Sequence, residues 1–381
     1  MKRFFLFIAV AALMMSGSQQ ASAKVTKAQY KAYEEALLSI IKRANLPSIQ
    51  LVYVTPEDSL SFAVVNKDFY ENTKLPQEVQ PISDKSIYQA CSISKIPLSW
   101  IAVKMIDEGS LELDKPLVEY YPDIVKKFKT EQDKKWAQML TPRICMIHRT
   151  GLPNKGYGKM TFDCKPDTKY GYSGPGIYAL QMTIEHIKGK SLMELSREYI
   201  FDPLGMKHTN YAWVDEYEQT HVNGYKRDTV TRNKWDKGKP GSAAGRKPNA
   251  AYSMRTSAAE YTVFLRAMMH HWGMSEKAYE MMLQPYGDPI PAFYPERGNF
   301  YRALGLCCAM DTEFGPAFWH YGDNGNFKGM SFFFPEKDIT LVGFINSINS
   351  YAIYDSIINL FLKPEKPLVF GKNGKKPLPA E

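Results

Sequence analysis

The chain reads as an α+β fold: one antiparallel sheet flanked by helices, with an all-helical lobe inserted between two parts of the sheet. Three observations predict it. Two strand-like runs, 48–55 and 59–65, stand near the start as a hairpin. From about Ile101 to Phe201 the pattern is helices and loops with few strands. Strand-like runs then return at 317–320, 330–334 and 340–346. Strands on both sides of a helical block suit a split sheet better than alternating βα units. No Pro/Gly/Ser linker separates independent domains. The expectation is therefore one domain over 24–365, with an α/β lobe from about 24–90 and 240–365 and a helical lobe over about 91–239.

The elements follow in order. Lys2 and Arg3, the apolar run Phe4 to Met15 and the small-x-small triplet Ala21-Ser22-Ala23 read as an export signal cleaved before Lys24. The apolar run is too short to span a bilayer. Residues 27–43 pattern as an amphipathic helix with Tyr30, Ala36, Leu37, Ile40 and Ile41 on its apolar side, ended by Pro47. Ser92 opens a helix running to about Glu108, and Gly109 caps it. Pro97 belongs in the first turn of that helix, where a missing N–H costs least. Residues 257–272 form another helix, with Ser257 and Glu260 as a capping box and Gly273 after its end. Pro335-Glu336-Lys337-Asp338 is a turn between strands. A helix over 353–362 closes the fold. Four prolines after Lys363 and weak apolar patterning predict a loosely ordered tail over 366–381.

Composition is that of a globular chain, 44% hydrophobic and 13% aromatic, which supplies a core. The formal charge of +8 includes Lys2 and Arg3 and sits partly in the basic run 226–247 and the tail. No stripe of basic and aromatic residues accompanies it, which argues against nucleic acid as a partner. No later stretch is apolar enough to be a transmembrane helix, so the expected mature protein is soluble, periplasmic or secreted. Cys91, Cys145, Cys164, Cys307 and Cys308 are odd in number, so at least one is unpaired or intermolecular. Their spacings fit no zinc pattern, and most read as small buried hydrophobes.

Three motifs carry chemistry. Ser92-Ile93-Ser94-Lys95 puts a lysine three residues after a serine, on one face of a helix. A serine hydroxyl needs a proton acceptor, and a helix start adds positive potential and a spare N–H for an oxyanion. Ser39-Ile40-Ile41-Lys42 has the same spacing deep inside a helix, where no backbone N–H is spare. The second motif is Tyr172-Ser173-Gly174, just before a helix. A phenol near a lysine can be held as phenolate or relay a proton. By itself the triplet also reads as a turn with an aromatic plug. The third is His320-Tyr321-Gly322 on a strand, followed by Asp323. The glycine allows substrate close to the backbone, and the N–H of Asp323 is the second oxyanion donor. His271-Trp272-Gly273 has the same order, but its glycine is a helix stop. His270 and His271 are adjacent and read as surface residues, not metal ligands.

Together and in order, these motifs resemble those of the serine β-lactamase and penicillin-binding-protein group. The likeness is nearest to class C β-lactamases and the related D-alanyl-D-alanine carboxypeptidases and esterases. In these, tyrosine heads the second motif and histidine can replace the lysine of the third. The segment Tyr88 to Lys95 is similar to the group's active-site segment. Two stretches, Leu140 to Pro153 and Ile200 to Met206, are similar to further family segments, and the likeness runs from about Ser48 to Phe361.

The resemblance implies a β-lactamase/transpeptidase-like fold, Ser92 as acylated nucleophile, Lys95 and Tyr172 as proton-transfer groups and His320 as a wall of the oxyanion site. It implies no metal or organic cofactor, and a small-molecule or peptide substrate. Two residues depart from the pattern. Gly174 stands where many members have an asparagine that holds the substrate's acylamino group, which predicts open space beside Ser92. Asp323 stands where a small residue is usual. The expectation is a serine hydrolase acting on an ester or amide: a D-amino-acid peptide, an ester or a β-lactam. Esterase or peptidase ranks above β-lactamase because of Gly174. The alternative is a penicillin-binding or sensor-type module acylated on Ser92 with little turnover.

Overall fold

The computed structural model describes residues 24–71, 79–226, 229–230, 248–290, 300–348 and 353–370. The expected export signal, most of the basic run and the last eleven residues lie outside them.

Helix α1, Lys27–Arg43, begins at a reciprocal cap. The Thr26 hydroxyl accepts from the Gln29 N–H, and the Gln29 side chain accepts from the Thr26 N–H. Its buried residues are Leu37, Ile40 and Ile41, which belong to the face the periodicity predicts. Strands β1, Ser48–Val54, and β2, Ser59–Val65, form the expected hairpin. Five further strands come late: β3 Tyr301–Ala303, β4 Leu306–Thr312, β5 Gly315–Asp323, β6 Lys328–Phe334 and β7 Ile339–Ile345. The order across the antiparallel sheet is β2-β1-β7-β6-β5-β4-β3. The early hairpin joins the late strands through β1 and β7, with Ile49 opposite Ile345 and Val54 opposite Thr340. The sheet is thus split in sequence.

Position in the sheet explains the burial patterns. β1, β6 and β7 are interior strands covered on both faces, and every residue is buried. β2 is an edge strand and alternates between buried and more exposed residues. Strands β3 and β4 were not foreseen. β3 is only three residues long, and β4 ends on Asp311 and Thr312 beside a register shift, so neither shows clean alternation.

Four more helices matter for the site: α2 Lys95–Asp107, α3 Gly174–Lys188, α4 Ala258–Met269 and α5 Tyr354–Leu362. α1 and α5 cover one face of the sheet, in a core that includes Leu37, Ile41, Phe62, Trp319, Phe332 and Phe361. The other face packs on α4 and the helical block, in a larger core that includes Trp100, Phe264, Phe318, Phe333 and Phe344.

One expectation needs correction. The Ser257 hydroxyl caps the Glu260 N–H at 3.2 Å, but Glu260 does not reach back to complete a box. Its carboxylate accepts instead from the His208 N–H at 3.0 Å and the Thr209 hydroxyl at 2.6 Å, tying two chain segments together. Most of the expected loose tail, 371–381, lies outside the described residues. Phe370, the last described residue, is buried and packs on Phe300, Trp319 and Phe332. All five cysteines are free thiols, with Cys91, Cys145 and Cys308 buried. No helix among the described residues is long and apolar enough to cross a membrane.

Candidate active site

Ser92 lies in a tight 3-10 turn, Cys91–Ser94, and the regular helix α2 begins only at Lys95. Pro97 falls in the first turn of α2, as its missing N–H requires. Cys91, directly before Ser92, has φ of 54°, a left-handed conformation that costs a non-glycine residue energy. The surroundings hold it there. The Ala90 N–H donates to Met254 O at 2.8 Å, and the Ser94 hydroxyl donates to Cys91 O. The phenols of Tyr261 and Tyr211 donate to Ile93 O at 3.0 Å and Ser94 O at 2.8 Å. Three partners on distant segments and one within the turn thus fix the angle at which Ser92 leaves the backbone.

Strand β5 brings the third motif against this turn. A Cβ on Gly322 would lie 2.6 Å from Ala90 O, 2.8 Å from Cys91 Cβ and 3.2 Å from Ser92 N. Only glycine permits that approach, so the backbone after His320 runs directly beside the serine turn. His320 is buried, and its Nδ1 lies 2.6 Å from Tyr321 O, so Nδ1 carries the proton. The Asp323 carboxylate does not intrude on the strand. It turns back to pair with the buried Lys328 and accepts the Gly325 N–H at 2.7 Å, closing the loop after β5.

Lys95 is fully buried and donates to Ala251 O at 2.5 Å. Its Nζ lies 5.0 Å from the centroid of the Tyr172 ring. The Tyr172 ring is in turn 6.0 Å from His320 and 4.3 Å from His148. Its hydroxyl is shielded from solvent and has no well-aligned hydrogen bond among the described residues. Burial pushes the Tyr172 phenol well above its usual range. The nearby Ser92 hydroxyl and the Arg302 guanidinium pull the other way without overcoming it.

Two residues of this site were not singled out from the sequence. His148 is fully buried, accepts the Ser173 N–H at Nδ1 over 3.2 Å and braces the Tyr172 ring. Burial, then Arg302, Lys95 and His320, hold its pKa well below the usual value, so it is neutral. Arg302 on β3 is buried and donates to Cys307 Sγ at 2.7 Å, while its Nε and Nη2 have no hydrogen-bond partner among the described residues. The one signal for it was a lone arginine in the otherwise uncharged run Phe300 to Met310.

The expected open space at Gly174 is not there. Its N–H donates to Asn154 Oδ1 at 2.9 Å, and a Cβ on it would lie 2.0 Å from the Tyr157 hydroxyl. Tyr157 fills the place of the missing side chain. Gly174 has no positive φ, so close approach and not backbone conformation calls for glycine.

The structure therefore brings Ser92, Lys95, Tyr172, His320 and Gly322 to one place, from segments far apart in the chain. The decoys stay apart. Ser39 lies inside α1, and His271 stacks on Tyr279 and pairs with Glu276 at 2.7 Å. Among the described residues no group of three or more His, Cys, Asp or Glu side chains is placed to hold a metal. A buried lysine nitrogen, a neutral phenol and a hydroxyl at a strained turn form a set able to move a proton from serine to a leaving group when the lysine is the free amine.

The split antiparallel sheet, with a serine turn at the edge of a helical block, is a β-lactamase/transpeptidase-like fold. The profile of the Beta-lactamase family matches residues 50–356, and the chain belongs to that family. A lovastatin esterase of Penicillium rubens is 24% identical over 70% of this chain and 73% of its own. Among solved structures, a class C β-lactamase superposes with a TM-score of 0.71 at 15% identity, covering 90% of this chain and 99% of its own. A D-stereospecific amidohydrolase from Streptomyces superposes with a TM-score of 0.65 at 15% identity, covering 87% and 97%. At such identities the structures speak for the fold alone.

Proposed function

We propose that the protein is an exported serine hydrolase that forms an acyl-enzyme on Ser92 and acts on carboxylic esters in preference to β-lactams. The observation that carries this reading is the stacked arrangement of Lys95 and Tyr172 beside the Ser92 turn, with the Gly322 backbone pressed against it. In the acylation step Lys95 acts as the free amine: the Ser92 oxygen attacks the ester carbonyl, and its proton passes to Lys95 Nζ, with the Tyr172 hydroxyl able to relay it by taking up one proton as it gives up another. The oxyanion is held by the backbone N–H groups of Ser92 and Asp323, next to His320. The Tyr172 side of the unit returns the proton to the leaving alcohol, and the C–O bond breaks. Water then repeats the sequence on the acyl-serine and releases the acid. The esterase preference is supported by the crowded place at Gly174 and by the similarity to an esterase. Labelling with a fluorophosphonate probe and mapping the modified residue tests the nucleophile. Turnover of an aryl ester with an acid product released beyond one equivalent distinguishes an esterase from a module that is acylated and stays so. Labelling at any residue other than Ser92 overturns the proposal.

A further inference from the structure

Residues 154–157 approach the start of α3 from outside the three motifs. The Asn154 side chain accepts the Gly174 N–H, and its Oδ1 lies 3.1 Å from the point a Cβ on Gly174 would occupy. The Tyr157 hydroxyl lies 2.0 Å from the same point. That point is two residues along the chain from Tyr172. The Tyr157 ring meets the rings of Tyr178 and Tyr252 edge-on, at 5.9 Å and 5.4 Å between centroids. Tyr252 directly follows Ala251, whose carbonyl holds Lys95. The Tyr252 backbone carbonyl also accepts the Asn324 side-chain amide at 3.2 Å, on the loop that follows β5. One aromatic wall thus runs from the start of α3, past the lysine anchor, toward the loop after the third motif.

We propose that Tyr157 is the specificity-determining residue of this site, and that with Tyr252 it selects esters of aromatic or other flat apolar acids. This rests on the acyl-enzyme reading above. A residue at 174 with a side chain would present its own group to the acyl arm. Here glycine yields that place to a phenol from another loop. Aromatic faces favour flat apolar groups, and ring pairs add energy beyond the area they bury. The hydroxyl supplies one hydrogen bond to an oxygen on the acyl arm. Burial, then Tyr252, push the Tyr157 phenol above its usual range, so it stays a donor throughout the working range. A bulky acylamino arm meets the phenol where it needs room, which disfavours penicillin-like substrates.

The test uses the mature chain and p-nitrophenyl esters of acetic, butyric and phenylacetic acid, on wild type, Tyr157→Ala, Tyr157→Phe and Gly174→Ala. The readout is kcat/KM for phenylacetate relative to acetate. Wild type should favour phenylacetate. Tyr157→Ala should lower that ratio by about threefold to tenfold, the worth of one aromatic pair. Tyr157→Phe keeps the ring and should lower it less. Gly174→Ala, which leaves Tyr157 intact but pushes its hydroxyl aside, should lower it in the same direction. Fluorophosphonate labelling of Ser92 in each variant reports separately on the nucleophile. If Ser92 is labelled and the esters are cleaved, but the ratio is unchanged in Tyr157→Ala, this proposal falls while the hydrolase reading stands. If wild type cleaves none of the esters, both fall.

Discussion

Lys95 Nζ lies 5.0 Å from the centre of the Tyr172 ring and donates to Ala251 O at 2.5 Å, so it is fixed from two sides. Burial raises the Tyr172 phenol and outweighs the Ser92 hydroxyl and the Arg302 guanidinium, which favour the phenolate, so Tyr172 keeps its proton at rest. The ultraviolet difference spectrum between wild type and Tyr172→Phe should therefore show no tyrosinate band up to about pH 9. A tyrosinate signal near neutral pH would show that the phenol is already ionised in the free protein.

Lys95 and Tyr172 should act as one unit. Lys95→Ala and Tyr172→Phe should each lower kcat by about a hundredfold or more, and the double variant should lose little beyond the larger single effect. Additive losses would place the proton path elsewhere.

Ser92→Ala should abolish probe labelling and lower ester hydrolysis by about a thousandfold or more. Ser39→Ala, inside α1, should change neither. Retained labelling in Ser92→Ala would remove Ser92 from the mechanism.

Gly322→Ala should damage both stability and activity. Its Cβ has nowhere to go against Ala90 O and Cys91 Cβ, so β5 must draw back from the serine turn. Overpacking of this kind costs about 1–3 kcal/mol, and the displaced oxyanion site should lower kcat by about tenfold or more. Thermal unfolding and ester kinetics on the same preparation check this. Unchanged kcat would mean that the contact does not shape the site.

Asp133 offers a pH test remote from the chemistry. Burial opposes its ionisation, but the Phe162 N–H at 2.9 Å and the Thr130 hydroxyl and N–H at 2.7 Å and 3.0 Å outweigh that and hold its pKa below the usual value. The folded state thus favours the carboxylate. Its contribution is present above the unfolded pKa of about 3.9 and is lost as pH falls through the lower folded value. Asp133→Asn should lower Tm by a few degrees near pH 7, on the order expected for this size of domain. The gap should narrow below about pH 4. A gap that does not depend on pH would assign the effect to packing.

Export is read from the first 23 residues, and exported protein should begin at Lys24. N-terminal sequencing decides it, and retention of Met1 to Ala23 would reject the signal reading.

Much of the site was legible because it rests on local rules. A serine and lysine three apart at a turn, a tyrosine before a capped helix, and a glycine on a strand each have a chemical reason within a few residues. Context separated Ser92 from Ser39, since a helix interior has no spare N–H. The split sheet was legible for the same reason, because β1, β2, β5, β6 and β7 each sit in apolar runs. What only the tertiary structure decided depends on residues that no spacing rule connects. Tyr157 occupies the place that Gly174 leaves, from a loop 17 residues earlier in the chain. Arg302 acts electrostatically on Tyr172 from the edge strand β3, across 130 residues of chain. His148, fully buried, braces the Tyr172 ring from 24 residues earlier in the chain. Sequence periodicity reports which face of an element is apolar. It does not report which distant side chain fills a gap, because that is set by packing among elements, where every buried group competes for the same volume.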